Sequence, residues 1–379
     1  MSDSQNQYFV LTLPLKAELW QQHVLEKRFE INRQIYNLLL QNVMKRYKQM
    51  CQTKLYRANK EALLCTTEKE ARKKLLQERD SLVAKYQLRN YDICKETTEY
   101  RQYFQEHTDS PIVQNLASEV SQAIDGLVKG NANQVYLKKP GQMKSLSGKT
   151  NRSSIKYREG NLIWKGLTIP VDKKNWSWYE EEALKREIRY CRIKKSAIRG
   201  KDRYFLEIVL KGDVPVKRNA KATGIVGIDI GRQRLEVVSQ NHTHTYVLPF
   251  KNRKLEQKKR ELSQYMERSR RSMNPGNYEP NGKIKKGSID WIYSNKYKKA
   301  KLIYQELCRK QTVLHKQSQH KLAQEISVNG NCFYIEETGS IKLDGIRFSG
   351  AYHQQTASAG FLKILEYKLN QQGKQLLFR

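Results

Sequence analysis

The sequence predicts an α+β protein in which a helical region, a small β-barrel and a mixed region of strands and helices follow one another. Three observations predict this class. Apolar residues recur at helical spacing through the first third of the chain, short β-prone segments follow, and the last third alternates strands with long basic helices. At 379 residues the chain is long enough for two or three domains with their own cores.

The first third predicts one strand followed by helices. Residues 8–14 alternate apolar and polar side chains, which is typical of a strand. Residues 17–50 carry apolar residues at helical spacing with basic residues on the other sides, which predicts a long amphipathic helix. Helical composition continues through 55–90 and 92–129, with Asp-Ser-Pro at 109–111 as a signal that one helix stops and another starts.

The middle third changes to β-prone sequence. Short segments broken by Gly and Lys predict several strands with polar turns, which is the pattern of a small barrel or sandwich. These segments are 135–138, 154–158, 161–169, 187–194 and 203–210. A basic joint at 217–221 leads into the last region.

The last third combines strands with a strongly basic helical stretch. Residues 225–250 predict two or three antiparallel strands, including 234–239 and 243–250. Residues 251–325 hold 20 Lys and Arg against 7 Asp and Glu, and predict a basic helical hairpin with a loop at 272–288. The remaining predicted elements are a strand at 332–336, a helix at 359–371 and a strand start at 375–378.

The charge balance indicates the class of partner. The formal net charge is +33, from 71 Lys and Arg against 38 Asp and Glu. Self-repulsion of this size destabilises a compact state unless a polyanion neutralises it. An acidic membrane is disfavoured because no apolar run reaches about eighteen residues and no basic-then-apolar leader is present. We therefore expect a soluble cytoplasmic protein with a nucleic-acid partner and no membrane partner.

Two motif classes are excluded by spacing. The six cysteines lie far apart, so CxxC pairs are absent and a zinc ribbon is not expected; reduced structural thiols are the simplest interpretation. Gly-Lys-Thr at 148–150 resembles the end of an ATP-binding loop, but Met143 stands where the first glycine of that loop is required.

Two apolar strands end in carboxylates. GIVGIDIG at 224–231 carries Asp229, and NCFYIEE at 331–337 carries Glu336. Carboxylates from neighbouring strands hold the two Mg²⁺ ions of an RNase H-type nuclease. From spacing alone, two strand-end acids that face solvent are the simpler alternative. Glu337 leaves the exact ligand open, because adjacent strand residues point to opposite faces.

Clusters of Lys and Arg predict contacts with phosphates. Each such residue placed on a phosphate backbone releases condensed counterions, and tyrosines interleaved with the charges suit unpaired bases. A solvated helix face is the alternative. The residues expected to contact nucleic acid are Lys45, Arg46, Lys138, Lys139, Lys149, Arg152, Lys254, Lys258, Lys259, Arg260, Arg268, Arg270, Arg271, Lys298 and Lys299.

These pieces in this order resemble the TnpB family, the RNA-guided nucleases of insertion-sequence transposons that are related to type V CRISPR effectors. VYLKKPGQMKSLSGKTNRSSI at 135–155 and LIWKGLTIPV at 162–171 resemble the oligonucleotide-binding wedge segment of that family. GIVGIDIG resembles the first RuvC motif, and FYIEE stands where the second belongs. Residues 274–311 are similar to the loop and bridging helices of one TnpB branch, and 361–377 to the helix and strand after the second motif.

The resemblance implies an organisation and a mechanism. Residues 1–16 and 131–220 would form the wedge with its small oligonucleotide-binding barrel, and 17–130 the helical recognition lobe. Residues 221–379 would form an RNase H-like RuvC domain that includes the basic hairpin 251–325. A bacterial, nucleoid-associated protein of this kind carries a guide RNA from the transposon end, which pairs with one strand of double-stranded target DNA beside a short flanking motif.

The sequence departs from the family at its catalytic equipment. The family continues with a CxxC…CxxC zinc ribbon and a third RuvC motif that supplies an Asp, and we find neither; Asp344 is a poor substitute. EETGSIKLDG at 336–345 also replaces the usual turn of the second motif. Loss of a charged group at a reacting oxygen costs orders of magnitude in rate. We therefore expect a truncated RuvC domain in which Asp229 and Glu336 are vestigial catalytic and metal residues.

The closest class is then the nuclease-dead TnpB-like repressors, with guide RNA as the cofactor, Mg²⁺ not required and no zinc. Three alternatives remain. The first is an active RNA-guided DNA endonuclease that uses two Mg²⁺ ions. The second is a guide-independent RNA chaperone or transposition regulator, and the third is a decayed gene product that folds poorly.

Overall fold

A computed structural model describes residues 7–216, 224–230, 234–240, 242–247, 252–287, 289–335 and 352–378. Two compact units divide the chain. The first is Met1–Ser196 with Asp202–Asp213, and the second is Ala197–Lys201 with Val214–Arg379. Both units combine helices with β-strands, as the predicted α+β class requires.

The first unit begins with one strand and five helices. Strand β1 spans Tyr8–Pro14, the same residues as the predicted strand. The helices are α1 (Leu19–Gln52), α2 (Lys54–Cys65), α3 (Lys69–Lys85), α4 (Asn90–Tyr103) and α5 (Ser110–Val128). The start of α5 falls at the predicted Asp-Ser-Pro signal, with the proline in its first turn, where a missing N–H costs no hydrogen bond.

Helix α1 provides the main apolar stripe of this unit. It starts with a capping box in which the Glu18 N–H donates to Gln21 Oε1 at 3.0 Å. Its stripe packs against α5, which buries its own apolar face. The α1 residues that are 0–3% exposed include Leu25, Phe29, Ile35, Leu39 and Val43.

Two sheets complete the first unit. The remaining elements are β2 (Ser145–Ser147), β3 (Lys156–Arg158), β4 (Asn161–Trp164), β5 (Leu167–Pro170), α6 (Trp178–Leu184), β6 (Ile188–Ile198) and β7 (Lys201–Lys211). One sheet has the strand order β1–β7–β6–β2, and the other has the order β3–β4–β5. The pairings β1–β7, β6–β2, β3–β4 and β4–β5 are antiparallel.

The predicted small β-barrel at 131–220 is wrong in one respect, because these strands form no closed barrel. Throughout residues 7–216, all of which are described, the strands lie in two open sheets linked by an isolated bridge between Leu15 and Val171, and β1 and β2 are the edges of the larger sheet. Short β-prone segments predict strands. Whether a sheet closes into a barrel depends on which edge strands pair, and the residues that decide this pairing are distant in sequence.

The predicted strand at 135–138 is also absent, for a local reason. The side chain of Asn37 on α1 takes both backbone groups of Lys138: its Nδ2 donates to the carbonyl oxygen, and its Oδ1 accepts from the N–H, each at 2.9 Å. Arg33 Nη1 donates to the same carbonyl at 2.6 Å. A helix side chain therefore satisfies the groups that a neighbouring strand would otherwise pair.

The second unit contains a five-stranded mixed sheet. Its strands are β8 (Ile225–Ile230), β9 (Arg234–Val238), β10 (Thr243–Val247), β11 (Cys332–Ile335) and β12 (Gln375–Phe378). The order is β10–β9–β8–β11–β12. Pairing is antiparallel from β10 to β8 and parallel from β8 through β11 to β12.

Three long helices belong to this unit: α7 (Arg253–Met273), α8 (Asn295–Ser327) and α9 (Tyr352–Gln371). The end of α8 and the second half of α9 cover one face of the sheet. Leu322, Phe333, Phe361 and Leu365 are all at most 3% exposed in this core. None of the helices in the described part of the chain has the length and apolar character needed to cross a lipid bilayer.

Gly330 and Asn331 fix the backbone where the three parallel strands begin. A Cβ on Gly330 would lie 2.6 Å from Val226 Cγ2 and 2.7 Å from the Gly224 carbonyl oxygen, so only glycine fits without displacement. Asn331 then exchanges hydrogen bonds with Gly224: its N–H donates at 3.0 Å, and its Oδ1 accepts at 3.3 Å. The Gln375 N–H donates to the Asn331 carbonyl at 3.2 Å.

Candidate functional site

Asp229 lies near the carboxyl end of β8 on the open face of the sheet. Val226 and Ile228 are buried, and Asp229 is exposed, as strand alternation requires. Strands β8 and β11 are parallel neighbours, and Ile335 is the register partner of Ile228, the residue directly before Asp229. Glu336, the other predicted catalytic residue, lies outside the described residues.

A second carboxylate, which sequence reasoning missed, faces Asp229 from β9. Glu236 is the register partner of Asp229 and is exposed. Directly opposed residues of an antiparallel pair have Cβ atoms about 4.5–5.5 Å apart, and like charges there destabilise the pair unless something neutralises them. Carboxylate oxygens are ligands that Mg²⁺ prefers, so the chemistry of these two residues fits a divalent cation. Within the described ranges, no three or more His, Cys, Asp or Glu side chains gather around one point.

Helices α7 and α8 form an antiparallel hairpin with many exposed cations. Ser269 Oγ and Ser294 Oγ are 3.2 Å apart near the loop, and Lys259 Nζ donates to Gln311 Oε1 at 2.6 Å farther along. A basic surface of this length suits the phosphates of a nucleic-acid backbone. The predicted contact residues that are exposed on this hairpin are Lys254, Lys258, Arg260, Arg268, Arg271, Lys298 and Lys299.

Two half-buried contact residues predicted on the hairpin, Lys259 and Arg270, are engaged within the protein, and the exposed Arg271 also pairs with Glu267 at 2.9 Å. Besides its bond to Gln311, Lys259 Nζ lies 6.0 Å from the centre of the Tyr304 ring. The Arg270 guanidinium forms an ion pair with the Glu267 carboxylate. Burial lowers the pKa of Arg270, but the Glu267 charge helps to raise the pKa overall. These two cations therefore stabilise the hairpin as well as adding to its positive field.

An open groove of about 370 Å³ runs between the start of α7 and the middle of α8. Leu255, Val313 and Leu314 supply apolar lining, and Lys254 and Lys258 supply cations. The groove therefore sets an apolar strip beside two of the exposed cations of the hairpin.

The predicted contacts of the first unit lie on α1 and on the segment around β2. Four of them are exposed: Lys45, Lys139, Lys149 and Arg152. The other two are paired with carboxylates. Arg46 Nη2 lies 2.5 Å from Glu96 Oε1, and Lys138 Nζ lies 2.9 Å from Glu119 Oε2 and 3.7 Å from the centre of the Tyr36 ring.

No protein-family profile and no curated protein sequence matches this chain. Among solved structures, a cryo-EM structure of the Cas12f1–sgRNA–target DNA complex is similar, with a TM-score of 0.48 and 12% sequence identity over 99% of this chain and 89% of that chain. A cryo-EM structure of a CRISPR–Cas12f ternary complex has a TM-score of 0.30 and 14% identity over 94% of this chain and 71% of that chain.

Proposed function

We propose that this chain is an RNA-guided DNA-binding protein of TnpB-like type, which occupies guide-matched DNA beside a short flanking motif and represses transcription without cleavage. The observation that carries the proposal is the α7–α8 hairpin, which exposes seven predicted contact cations on two long packed helices. A surface of this kind neutralises a nucleic-acid backbone and, in return, relieves the self-repulsion of a chain with a net charge of +33.

The sequence resemblance supports the assignment of roles to regions. In this proposal residues 1–16 and 131–220 act as the wedge, and 17–130 act as the recognition lobe, together holding a guide RNA derived from a transposon end. Residues 221–379 act as the RuvC-like domain, whose basic hairpin at 251–325 holds the guide–target heteroduplex. The protein would then work at the nucleoid, where its double-stranded target lies.

Asp229 and Glu336 are vestigial catalytic residues in this proposal. The parallel pairing of β8 and β11 supports the assignment of these two residues to one ancestral site, because the carboxyl ends of parallel strands lie at the same edge of a sheet. The altered sequence of the second motif at 336–345 supports the loss of cleavage. Guide RNA is the required cofactor, and binding needs neither zinc nor Mg²⁺.

An active RNA-guided endonuclease that uses two Mg²⁺ ions is the second candidate. The opposed carboxylates of Asp229 and Glu236 favour it, because a cation would relieve their repulsion. Cleavage in the presence of Mg²⁺ would distinguish this candidate from a repressor.

The deciding experiment uses the protein purified with the RNA it carries. That RNA is sequenced, and a DNA duplex that matches its 3′ end is offered with Mg²⁺, with bound and cut DNA scored in the same gel. Binding without cutting is the expected result. Cutting would establish the endonuclease, and RNA without any guide-directed DNA binding would indicate an RNA-binding regulator.

A substitution at Asp229 tests its vestigial role directly. We expect Asp229→Ala to leave the affinity for guide-matched DNA unchanged within about twofold, because an exposed carboxylate contributes no attraction to phosphates. The double substitution of Lys298 and Lys299 by Gln is the positive control and should weaken binding. A large loss of DNA affinity on Asp229→Ala would count against a vestigial site.

A further inference from the structure

The connection between α7 and α8 folds into a small β-ribbon. Residues 274–287, called the tip hairpin below, form its two arms and its turn. Tyr278 and Ile284 form an antiparallel bridge between the arms. The Glu279 N–H donates to the Lys283 carbonyl at 2.8 Å, which extends the pairing to the turn. The tip hairpin is therefore an ordered element between the two helices.

The local sequence encodes the turn of the tip hairpin. Gly282 has φ +78° and donates its N–H to the Glu279 carbonyl at 2.8 Å, which closes a four-residue turn with Pro280 in its second position. Proline at this position and glycine at the fourth are favoured in type I turns, and a left-handed glycine matches the turn to a ribbon. Asn281 Oδ1 also accepts from the Lys283 N–H at 2.8 Å.

Aromatic rings and arginines pack against one another at the base of the tip hairpin. The rings of Tyr278 and Trp291 meet edge to face, with centres 5.8 Å apart. The Arg270 guanidinium lies 4.9 Å from the centre of the Trp291 ring, and the Arg271 guanidinium lies 4.9 Å from the centre of the Tyr278 ring. Both arginines also pair with Glu267. The charge of these arginines is thus partly neutralised, and one face of each ring is covered.

Asn274 and Asn277 fasten the tip hairpin to the segment that leads into α8. Asn274 is buried; its Nδ2 donates to the Ile292 carbonyl at 2.8 Å, and its Oδ1 accepts from the Ile292 N–H at 2.7 Å. Asn277 Nδ2 donates to the Asp290 carbonyl at 2.8 Å. The first arm of the tip hairpin is therefore fastened to the segment before α8.

The tip hairpin presents three lysines to solvent. Lys283, Lys285 and Lys286 are all exposed, and Glu279 is the one carboxylate among residues 274–287. No ion pair in the described part of the chain involves any of the three lysines. They differ in this from Arg270 and Arg271, and remain available for an external anion.

We propose that the tip hairpin docks onto a DNA double helix and that Lys283, Lys285 and Lys286 contact its phosphates. A two-stranded β-ribbon fits a B-DNA major groove, which is about 12 Å wide. A single strand is disfavoured, because stacking of unpaired bases needs open aromatic faces and Tyr278 and Trp291 are packed on each other and on arginines. An RNA–DNA hybrid is disfavoured as well, because its A-form geometry makes the major groove deep and narrow.

This inference rests on the proposed function, because it names the element that holds the duplex. Its test removes the three charges from the full-length protein with Lys283→Gln, Lys285→Gln and Lys286→Gln. The matched control removes three exposed lysines from α3 with Lys69→Gln, Lys73→Gln and Lys74→Gln. Both variants lose the same charge from exposed positions, so neither is expected to disturb the fold.

Fluorescence anisotropy at several salt concentrations measures affinity for three labelled probes of about 20 nucleotides or base pairs, a length typical of a guided heteroduplex. The probes are a DNA duplex, an RNA–DNA hybrid and single-stranded DNA of mixed sequence. We expect the tip variant to lose at least about tenfold in duplex affinity, and the slope of log affinity against log salt to fall by about 2–3, since each phosphate contact contributes about 0.9. We expect a larger loss for the DNA duplex than for the hybrid, and an equal or larger loss for the hybrid would overturn the assignment to DNA.

A second variant keeps every charge of the tip hairpin and alters the geometry of the turn that positions the lysines. Gly282→Ala places a side chain at φ +78°, which strains the turn. We expect a several-fold loss of duplex affinity with an unchanged salt slope. Equal losses in the tip and control variants would overturn the inference, as would an equal loss for single-stranded DNA. Failure of the proposed function looks different: the wild-type protein would bind duplexes without preference for the guide sequence, and the tip lysines would still matter.

Discussion

At the scale of single residues, one buried arginine joins distant parts of the first unit. Arg28 on α1 donates to two carbonyl oxygens of the turn after β4, that of Trp164 at 3.0 Å and that of Lys165 at 2.7 Å, and its guanidinium lies 4.6 Å from the centre of the Trp164 ring. Asp109 completes the network by accepting from Trp164 Nε1 at 2.8 Å and pairing with Lys165 at 3.0 Å. Burial lowers the pKa of Arg28, and the charge of Asp109 opposes that shift.

Arg28→Lys is therefore expected to destabilise the first unit. A lysine carries no planar fork to serve two carbonyls at once, so it leaves a buried acceptor unpaired at a cost of about 2 kcal/mol in the free energy of unfolding. Urea titration of the full chain measures the change. Arg57→Lys, at an exposed position on α2, is the control and should change stability by less than about 0.5 kcal/mol. Equal effects of the two substitutions would show that the Arg28 network contributes nothing.

The positions of single residues were predictable from the sequence where the local pattern was sufficient. Asp229 was predicted as the acid at the end of an apolar strand, and the structure gives it that position on β8. Glu236 was missed, because its position opposite Asp229 depends on the register between β8 and β9, and a slip of one residue would turn it to the other face. Arg28 was missed because its acceptors lie more than a hundred residues away in sequence.

At the scale of elements, the helices were the most predictable part. The sequence predicted a basic helical hairpin at 251–325 with a loop at 272–288, and α7 and α8 occupy Arg253–Met273 and Asn295–Ser327. Their starts follow from capping side chains, Asn252 and Ser294, each of which accepts from an N–H three residues on. The turn signals predicted the loop between them, but not its folding onto Trp291, because that packing joins residues from both helix ends.

Asn274→Ala tests how the tip hairpin is held. The substitution removes both hydrogen bonds to Ile292, at a local cost of about 1–3 kcal/mol, since a hydrogen bond contributes about 0.5–1.5 kcal/mol. We expect amide hydrogen exchange to speed up by about tenfold or more in peptides that cover 274–294, with exchange in the five-stranded sheet unchanged. Gln257→Ala, at an exposed position on α7, is the control. Unchanged exchange at Ile292 would show that Asn274 does not fasten the tip.

At the scale of the whole molecule, composition and periodicity predicted the class and the order of helical and strand regions, and left closure of the sheets undetermined. The barrel prediction failed although β3 to β7 lie close to the predicted segments, because the pairing of edges is decided by contacts distant in sequence. The net charge is a whole-molecule property that is counted directly from the sequence, and it bears on partners and solubility more than on the fold. Its physical consequence is open to a direct measurement.

The net charge of +33 predicts an unusual dependence of stability on salt. Self-repulsion destabilises the compact state, and the Debye length falls from roughly 20 Å at about 0.02 M salt to below 10 Å at about 0.3 M, so added salt should screen the repulsion. We expect the Tm of the nucleic-acid-free protein to rise by several degrees over that range. Scanning fluorimetry in sodium chloride measures it, with sucrose as an uncharged control that acts through exclusion from the surface.

Exposed ion pairs contribute at most about 1 kcal/mol each and weaken with salt, so a fall in Tm would mean that such attractions outweigh the excess of positive charge. A further rise on adding an equimolar nucleic-acid duplex at low salt would show that a bound polyanion neutralises the same repulsion, since a ligand that binds the folded state stabilises it.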